Sequence, residues 1–367
     1  MIKKKQYIIP IFVPHLGCPN DCTFCNQRKI SGELKNVTEN DVRDTIEFYL
    51  KNFKEKKSYI EVAFYGGSFT GIDSELQEKL LKVAYEYVKN GSINGIRVST
   101  RPDYINRTIL KRLKKYKVKT IELGVQSTND YILKACKRGH TYEDVVRASK
   151  LIRRFRFNLG HQMMVGLPES SPQDDFNTAN DLIKLKPKMV RIYPVLVIKD
   201  TELEKEYNAG NYEPLTVNQA VERCKELCYL FGKKKIDVIR IGLQNTDTIC
   251  SPTNTGSEVV AGPYHETFRQ LVEASIYYDT IVQKIKKINT KAKEITITVN
   301  PQNVNNVVGY KRENITKIKE MYDLDVEVIQ DIKQSPEKID IEVSKKFKDF
   351  IDDKENIPSK RKNRTNV

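Results

Sequence analysis

The hydrophobic positions along this chain follow two alternating periods. Between residues 8 and 195, six short apolar runs have the length of β-strands, and each is followed by a segment with apolar residues at helical spacing. The predicted strands are 8–13, 60–65, 95–100, 119–124, 158–165 and 188–195. The predicted helices between and after them include 41–57, 104–116, 142–155, 173–185 and 216–235. Six strand–helix units in a row predict an α/β fold, a parallel barrel or part of one, with a doubly wound open sheet as the alternative.

The pattern changes after residue 236. One more apolar run, 236–243, would extend the barrel wall, and a polar segment and a long helix at 264–288 follow it. The remaining segments predict a small separate α+β unit, with strands at 294–300, 325–331 and 338–343 and helices at 304–308 and 312–322. We therefore predict a barrel domain with a C-terminal extension over 1–290, a second domain over 291–350, and a disordered basic tail over 351–367.

Composition adds an expectation about location and partners. Charged residues make up 30% of the chain, and no apolar run reaches the ~20 residues that a membrane helix needs. The start of the chain does not have the pattern of a signal peptide, and the seven cysteines do not form a disulfide framework. We expect a cytoplasmic protein with no membrane partner. Its formal net charge of +15 favours polyanionic partners, nucleic acid first.

Candidate chemistry begins with a cysteine-rich stretch just after the first predicted strand. Cys18, Cys22 and Cys25 have the spacing C-x3-C-x2-C. Cysteine thiolates are the usual ligands of iron–sulfur clusters, so three of them on one loop could hold three irons of a [4Fe–4S] cube and leave the fourth open. A zinc knuckle with His15 as an additional ligand, or cysteines that are merely buried, are the alternatives.

Later motifs follow the predicted strands, and together with the cysteine loop they resemble the radical S-adenosylmethionine (SAM) superfamily, in particular its Elp3-like branch. The motifs are 64–70, 99–103, 124–127, 137–140, 161–168, 191–194, 240–244 and 261–265. The resemblance covers about residues 6 to 270 and implies an incomplete six-strand TIM-like barrel, a partial (β/α)6 barrel. It also implies that the open iron binds the amino and carboxylate groups of SAM.

The same resemblance implies a set of SAM-binding residues, which are Gly66, Gly67, Ser99, Gln126, Arg138 and Gln162. Arginine suits the carboxylate of SAM because its planar fork pairs carboxylates in a bidentate way. Two positions depart from relatives. Ser99 stands where they tend to carry a glutamate, and Gln162 stands where coproporphyrinogen oxidases carry an aspartate.

The C-terminal unit resembles a KH-like RNA-binding fold. A helix, a turn that begins with Gly309, and a second helix match the KH arrangement, in which a GxxG loop clamps the nucleic-acid backbone. Arg312 replaces the second glycine here. We predict that Lys311 and Arg312 contact RNA, while a unit that has lost RNA binding and only packs on the barrel is the alternative.

These observations predict a radical SAM enzyme that uses a [4Fe–4S] cluster to cleave SAM to a 5′-deoxyadenosyl radical. The expected substrate is RNA, tRNA in particular, and the expected electron source is a reductant such as ferredoxin or flavodoxin. An enzyme acting on a small molecule such as a tetrapyrrole, and a non-catalytic RNA-binding iron–sulfur sensor, are the alternatives. Too little chain follows residue 288 for the acetyltransferase domain of Elp3, so we do not expect acetyl transfer.

Cysteines outside the loop have a simpler interpretation. Cys224 and Cys228 are spaced i, i+4 among apolar residues of a predicted helix, which is typical of a core stripe. A second cluster built from these two with Cys136 and Cys250 is the alternative.

Overall fold

The computed structural model describes residues 6–13, 22–26, 37–53, 58–288 and 292–344. The predicted tail, 351–367, lies outside these residues. The chain divides into two compact units, Met1–Phe268 and Arg269–Val367, which we call unit 1 and unit 2. None of the described helices is long and apolar enough to cross a membrane.

Unit 1 is built on a curled parallel sheet of seven strands. In chain order they are β1 Gln6–Val13, β2 Tyr59–Gly66, β3 Gly95–Thr100, β4 Val118–Gln126, β5 Asn158–Val165, β6 Met189–Pro194 and β8 Asp237–Ile241. Their order in the sheet is β1-β2-β3-β4-β5-β6-β8, so each strand pairs with its predecessor in this series. The predicted partial barrel is confirmed, and the run 236–243 does extend its wall. Two further short strands, β7 Val197–Ile198 and β9 Val259–Ala261, pair with each other and were not expected.

Helices connect the strands. In chain order they are α1 Glu39–Asn52, α2 Ser74–Lys89, α3 Arg107–Lys115, α4 Asp130–Ala135, α5 Tyr142–Arg154, α6 Pro172–Lys184, α7 Glu202–Asn208 and α8 Val217–Lys233. A further helix, α9 Phe268–Ile285, follows them and belongs to unit 2 from its second residue onward. Several begin with a residue that caps the free backbone N–H groups of the first turn. In α5, for example, Thr141 and Asp144 bond each other's backbone N–H groups. The short helices α4 and α7 were not among the predicted helices.

The sheet has an apolar outer face and a polar inner face. On β2, Val62 and Phe64 are fully buried on the face that carries the helices, while Glu61 and Tyr65 alternate with them on the inner face. On β2, therefore, the apolar side chains face the helices and the polar side chains face the interior of the curled sheet.

Unit 2 is a small α+β fold around a three-stranded sheet. Its strands are β10 Glu294–Val299, β11 Asp325–Gln330 and β12 Ile339–Val343, and the helices α10 Val304–Val308 and α11 Glu313–Tyr322 connect β10 to β11. Strand β10 lies in the centre, parallel to β11 and antiparallel to β12. Ile281 and Ile285 of α9, within the 1–290 domain of the sequence analysis, pack into the apolar core of this unit.

Candidate active site

The cysteine loop is described from Cys22 to Asn26, so Cys18 lies outside the described residues. Cys22 is buried and Cys25 is partly exposed. Two backbone bonds hold the loop: Thr23 N–H donates to Cys136 O at the end of α4 (3.2 Å), and Leu203 N–H of α7 donates to Thr23 O (2.8 Å). The two short helices that the sequence did not predict therefore position the cysteine loop.

Arg138 connects the cysteine loop to the carboxyl end of β4. Its Nη1 lies 3.3 Å from Cys22 Sγ, and its Nη2 donates to Gly124 O at 2.7 Å. The side chain is buried. Arg138 therefore bonds both the cysteine loop and the end of β4.

Gln126 ends β4 in a left-handed conformation, with φ of 71°. The β4–β5 register shifts between Gly124 and Gln126, which turns this residue out of the regular ladder. A Cβ added at Gly124 would lie 3.4 Å from both Gln126 Nε2 and Arg138 Nη2, so the two side chains meet above a glycine. Gln126 Oε1 is buried and accepts no hydrogen bond within the described residues. Such an atom is costly to leave unpaired, so it points to a ligand that donates to it.

His140 stabilises the backbone at the end of β4, next to Gln126. It is buried, and its Nε2 lies 3.2 Å from Val125 O, so Nε2 must carry the proton and donate it. Burial, together with the positive charges of Arg138 and Arg101, lowers the pKa of His140 to about 3. The histidine is therefore neutral at physiological pH and holds the backbone next to Gln126.

Gly66 and Gly67 lie at the end of β2, where the backbone of Gly66 passes close to β1. Gly66 has φ of 106°, and a Cβ there would overlap Val13 O on β1. Gly67 is partly exposed directly after the strand. Behind this turn, Thr100 Oγ1 lies 2.7 Å from Ser68 Oγ and 2.5 Å from Thr70 Oγ1, so buried hydroxyl groups tie the glycine turn to the end of β3.

Ser99 and Gln162 meet on the inner face of the sheet. Gln162 Nε2 donates to Ser99 Oγ at 3.1 Å and to Glu122 Oε2 at 3.0 Å. A carboxylate only accepts hydrogen bonds, so Glu122 decides which way the amide points: Nε2 toward the carboxylate and Oε1 away from it.

Sequence reasoning missed the charged network below these residues. Glu122 accepts from Arg97 Nη1 at 2.5 Å, from Arg191 Nε at 2.6 Å and from Arg191 Nη2 at 3.1 Å. Arg97 also pairs with Glu61 at 2.6 Å. Burial alone would raise the pKa of Glu122, but the attraction of Arg191 and Arg97 outweighs it and lowers that pKa to about 2. The available signal was charged residues inside otherwise apolar strands, since a buried charge needs a partner.

Within the described residues, the other cysteines do not assemble into a second metal site. Cys136 and Cys224 are buried, and burial raises the pKa of the Cys136 thiol to about 12. Among the described residues, no three His, Cys, Asp or Glu side chains come together in a way that could hold a metal ion. Cys22 and Cys25 therefore need Cys18 to complete the predicted ligand set.

Lys311 and Arg312 lie in unit 2, on the turn between α10 and α11. Both are exposed and have left-handed backbones, with φ of 48° and 66°. Lys311 Nζ lies 5.3 Å from the centre of the Tyr310 ring. Within the described part of the chain, neither cation forms an ion pair.

Enzymes built on a parallel α/β barrel carry their active sites at the carboxyl ends of the strands, and the cysteine loop of this half-barrel lies beside such an end. The sequence profile of the radical SAM superfamily matches residues 12–182, and the profile of the radical SAM C-terminal domain matches residues 187–278. The chain belongs to the radical SAM superfamily, whose members generally use SAM and a [4Fe–4S] cluster.

The relatives place the chain near Elp3. It is 30% identical over 183 residues to a tRNA uridine(34) acetyltransferase of Methanocaldococcus jannaschii, an alignment that covers 44% of this chain and 34% of that protein. It is 30% identical over 231 residues to an uncharacterized protein of the same organism, covering 60% of this chain and 70% of that protein. The chain thus spans about a third of the length of the acetyltransferase relative.

A solved structure shows the same fold. Elp3 of Methanocaldococcus infernus, with an N-terminal deletion, superposes with a TM-score of 0.59 and 23% identity, covering 77% of this chain and 63% of that one. The partial barrel of this chain is therefore the fold of an archaeal Elp3.

Proposed function

We propose that this protein is a radical SAM enzyme that modifies RNA, with tRNA as the expected class. Cys18, Cys22 and Cys25 are the proposed ligands of a [4Fe–4S] cluster. Gly66, Gly67, Ser99, Gln126, Arg138 and Gln162 are the proposed SAM contacts. The observation that carries the proposal is the arrangement at the end of β4. There, Arg138 contacts both Cys22 Sγ and Gly124 O. Next to it, the buried Gln126 Oε1 has no hydrogen-bond donor in the described chain.

The residues present fit the proposed groups. Thiols are the donors that iron–sulfur clusters require, and Cys22 is buried beside a guanidinium. Gln126 Oε1 is a buried acceptor without a donor in the described chain, and SAM carries an amino group and ribose hydroxyls that donate hydrogen bonds. Held by Cys18, Cys22 and Cys25, the cluster would supply the electron for reductive cleavage of SAM, and SAM would supply the radical chemistry that removes hydrogen from the substrate.

Each residue of the chain has a binding or orienting task in this proposal. Arg138 offers positive charge to a carboxylate at the carboxyl end of β4. Gln162 presents Oε1 as an acceptor because Glu122 holds Nε2. Gly67 is partly exposed and has no side chain of its own, so a ligand can approach its backbone closely.

Two observations support RNA as the substrate. Several relatives are named as tRNA uridine acetyltransferases, and unit 2 carries two exposed cations, without ion-pair partners in the described chain, on a glycine-led turn between two helices. Phosphate groups bind such cations in a salt-dependent way. Lys311 and Arg312 are therefore the proposed contacts to the RNA backbone, and a reductant such as ferredoxin or flavodoxin is the proposed partner that delivers electrons.

The test of this function combines iron content with product analysis. After anaerobic reconstitution, the wild-type protein should hold about four irons per chain. With a chemical reductant and SAM it should form 5′-deoxyadenosine, and cognate RNA should stimulate that formation. Cys22→Ala and Cys25→Ala should each lose most of the iron.

Cys228→Ala is the matched control, because Cys228 lies on α8 and is partly exposed like Cys25. It should keep its iron. If zinc replaced iron in the wild type, or if Cys228→Ala lost the cluster while Cys22→Ala kept it, the proposed function would be wrong. Formation of 5′-deoxyadenosine that a tetrapyrrole stimulates and RNA does not would favour the small-molecule alternative.

A further inference from the structure

Four loops at one end of the barrel are densely basic. They lead from the helices α3, α5, α6 and α8 into the strands β4, β5, β6 and β8. From the last helical turn to the start of the strand, the four segments are 114–119, 153–156, 184–188 and 233–235. They contain four, three, three and three lysines or arginines and no acidic residue. We call these thirteen cations the basic end.

The four loops lie side by side at the amino end of the sheet. The strands β4, β5, β6 and β8 are parallel neighbours in that order, so the loops that enter them meet at the same edge. Lys114 Nζ donates to Phe155 O at 2.9 Å, which joins the first two loops. Lys188 joins the others, because its N–H donates to Leu159 O at 2.9 Å and its O accepts from Asp237 N–H at 3.2 Å. The basic end is therefore one continuous surface of unit 1.

Most cations of the basic end form no ion pair within the described residues. All thirteen residues are exposed. Only two of them are paired in the described chain, Lys115 with Glu78 at 3.3 Å and Lys184 with Asp181 at 2.8 Å. The acidic residue nearest along the chain is Asp237, two positions after the last segment. Unpaired like charges at this density create a positive potential over the surface, which attracts a polyanion.

The architecture of the loops does not require these cations. Lysine or arginine in the last helical turn is favourable, because the carbonyl end of a helix carries partial negative charge. Beyond that turn, however, the second residue after each helix is again a cation: Lys117, Arg156, Lys186 and Lys235. Their φ angles of 57°, 63°, 56° and 57° are left-handed, and glycine is the usual residue at such a position. The repeated cation therefore indicates a role for the charge itself.

The other side chains of these segments favour a nucleic-acid backbone as the polyanion. Tyr116 is buried and Phe155 is half-buried, so the segments offer no exposed ring on which an unpaired base could stack. They also contain no exposed large apolar residue, which proteins that bind a membrane surface insert between the lipids. Phosphate groups bind lysine and arginine without either feature.

We propose that the basic end docks the phosphate backbone of an RNA duplex. Neighbouring strands are ~4.8 Å apart, so a row of four loops is about 15 Å long and can face about nine phosphates of a duplex. Strand β5 has 8 residues, which puts the basic end about 25 Å from the carboxyl ends of the strands, beside which the cysteine loop lies. The contact is therefore separate from the candidate active site. This inference rests on the proposed function for the choice of RNA.

The test measures binding of an RNA duplex of about 20 base pairs to the reconstituted protein, by fluorescence anisotropy at several salt concentrations. The double variant Lys186→Glu/Lys235→Glu changes two neighbouring loops. At about 0.1 M salt it should bind the duplex at least tenfold more weakly, and the slope of log affinity against log salt should fall by about two units. Lys186→Arg/Lys235→Arg keeps the charge and should keep the wild-type affinity and slope.

Lys82→Glu/Lys111→Glu is the matched control. It makes the same charge change at exposed positions in the middle of α2 and α3, outside the basic end. It should keep the wild-type slope. Iron content and SAM cleavage without RNA should be the same in all of these proteins, which shows that the variants fold.

The contribution of unit 2 is separated by a second background. In a protein that already carries Lys311→Glu/Arg312→Glu, the change Lys186→Glu/Lys235→Glu should lower the slope by about two further units, since the two surfaces bind different phosphates.

Four results would overturn the inference. They are an unchanged slope in the Lys186/Lys235 variant, an equal loss in the Lys82/Lys111 control, and no further loss in the second background. The fourth is a loss of binding to phosphatidylserine vesicles in the Lys186/Lys235 variant while duplex binding persists, which would make the partner a membrane.

The inference and the proposed function fail in different ways. A wild type that binds the duplex through the basic end but forms no 5′-deoxyadenosine would refute the radical reaction and leave the docking surface intact. Formation of 5′-deoxyadenosine that RNA stimulates, with duplex binding unchanged in the Lys186→Glu/Lys235→Glu variant, would refute the docking surface alone.

Discussion

At the scale of single residues, Gly66 shows how one missing side chain permits the site. Its φ of 106°, and the overlap that any Cβ at this position would have with Val13 O, leave no room for another residue. We expect Gly66→Ala to lower the free energy of unfolding by about 3 kcal/mol or more, since neither the backbone nor a neighbouring carbonyl can give way cheaply. Urea denaturation measures the change.

Gly91→Ala is the control, because Gly91 has φ of 79° but open space around it. This substitution should lower the free energy of unfolding by only about 1 kcal/mol. Equal costs in the two variants would mean that the close contact with β1 is absent.

His161 makes the stability of the protein depend on pH. It is buried on β5 with Nε2 2.9 Å from Ser149 Oγ, and burial lowers its pKa from 6.5 to about 3. A depressed pKa in the folded state means that the contribution to stability is complete above pH 6.5 and is lost as the pH falls toward 3. The free energy of unfolding should therefore drop by about 1.4 kcal/mol per pH unit below 6.5 because of this residue.

Urea denaturation at pH 7, 6 and 5 gives the slope of the free energy of unfolding against pH, and this slope should be smaller for His161→Gln than for the wild type. His265→Gln, at a partly exposed position, should keep the wild-type slope. Identical slopes for all three proteins would refute the assignment.

At the scale of elements, the strands of the barrel are joined by charge as well as by backbone bonds. Glu61 on β2, Arg97 on β3, Glu122 on β4 and Arg191 on β6 form one buried network with two positive and two negative charges. Such a network adds little over an apolar core while it is complete, but removing one partner leaves the others buried and unpaired.

Glu122→Gln should therefore lower the free energy of unfolding by about 3 to 5 kcal/mol, because two guanidinium groups lose their shared carboxylate. Thermal or urea unfolding measures the loss. Glu78→Gln is the matched control, since Glu78 pairs with Arg112 and Lys115 on the outer helices and is partly exposed. It should cost less than about 1 kcal/mol. A small effect at Glu122 would show that water enters the network.

At the scale of the whole molecule, two compact units share a net charge of +15. We propose that unit 1 catalyses the radical reaction and that unit 2 binds the RNA backbone. Lys311 and Arg312 are exposed and form no ion pair within the described chain, so we expect them to contribute to the proposed RNA binding mainly through phosphate contacts.

The double variant Lys311→Glu/Arg312→Glu should weaken RNA binding and reduce the slope of log affinity against log salt by about two units, one per lost phosphate contact. SAM cleavage without RNA should stay unchanged. Affinity measured between low and moderate salt tests this expectation. Lys286→Glu/Lys287→Glu makes the same charge change at two exposed positions directly after α9 and should retain the wild-type slope. Equal slopes for the wild type and the Lys311/Arg312 variant would make unit 2 a structural appendage.

The strands of the barrel, most of its longer helices and the family of this protein could be predicted from the sequence alone. Strands β3 and β5 begin and end at the predicted residues. This is because a run of apolar residues indicates a buried segment regardless of the element that packs against it. The motifs after the strands, with Cys22, Arg138 and Gln126 among them, were recognised from local patterns of type and spacing.

Which side chains meet across the barrel could not be predicted from the sequence. Arg97 and Glu122 are 25 residues apart, and Glu122 and Arg191 are 69 apart, so no local period relates them. Their pairing depends on the sheet curling so that β3, β4 and β6 face a common interior. The same holds for β7 and β9, which are too short to show a pattern and pair across some sixty intervening residues. Periodicity shows which side of an element is buried, and long-range packing alone decides which partner it finds there.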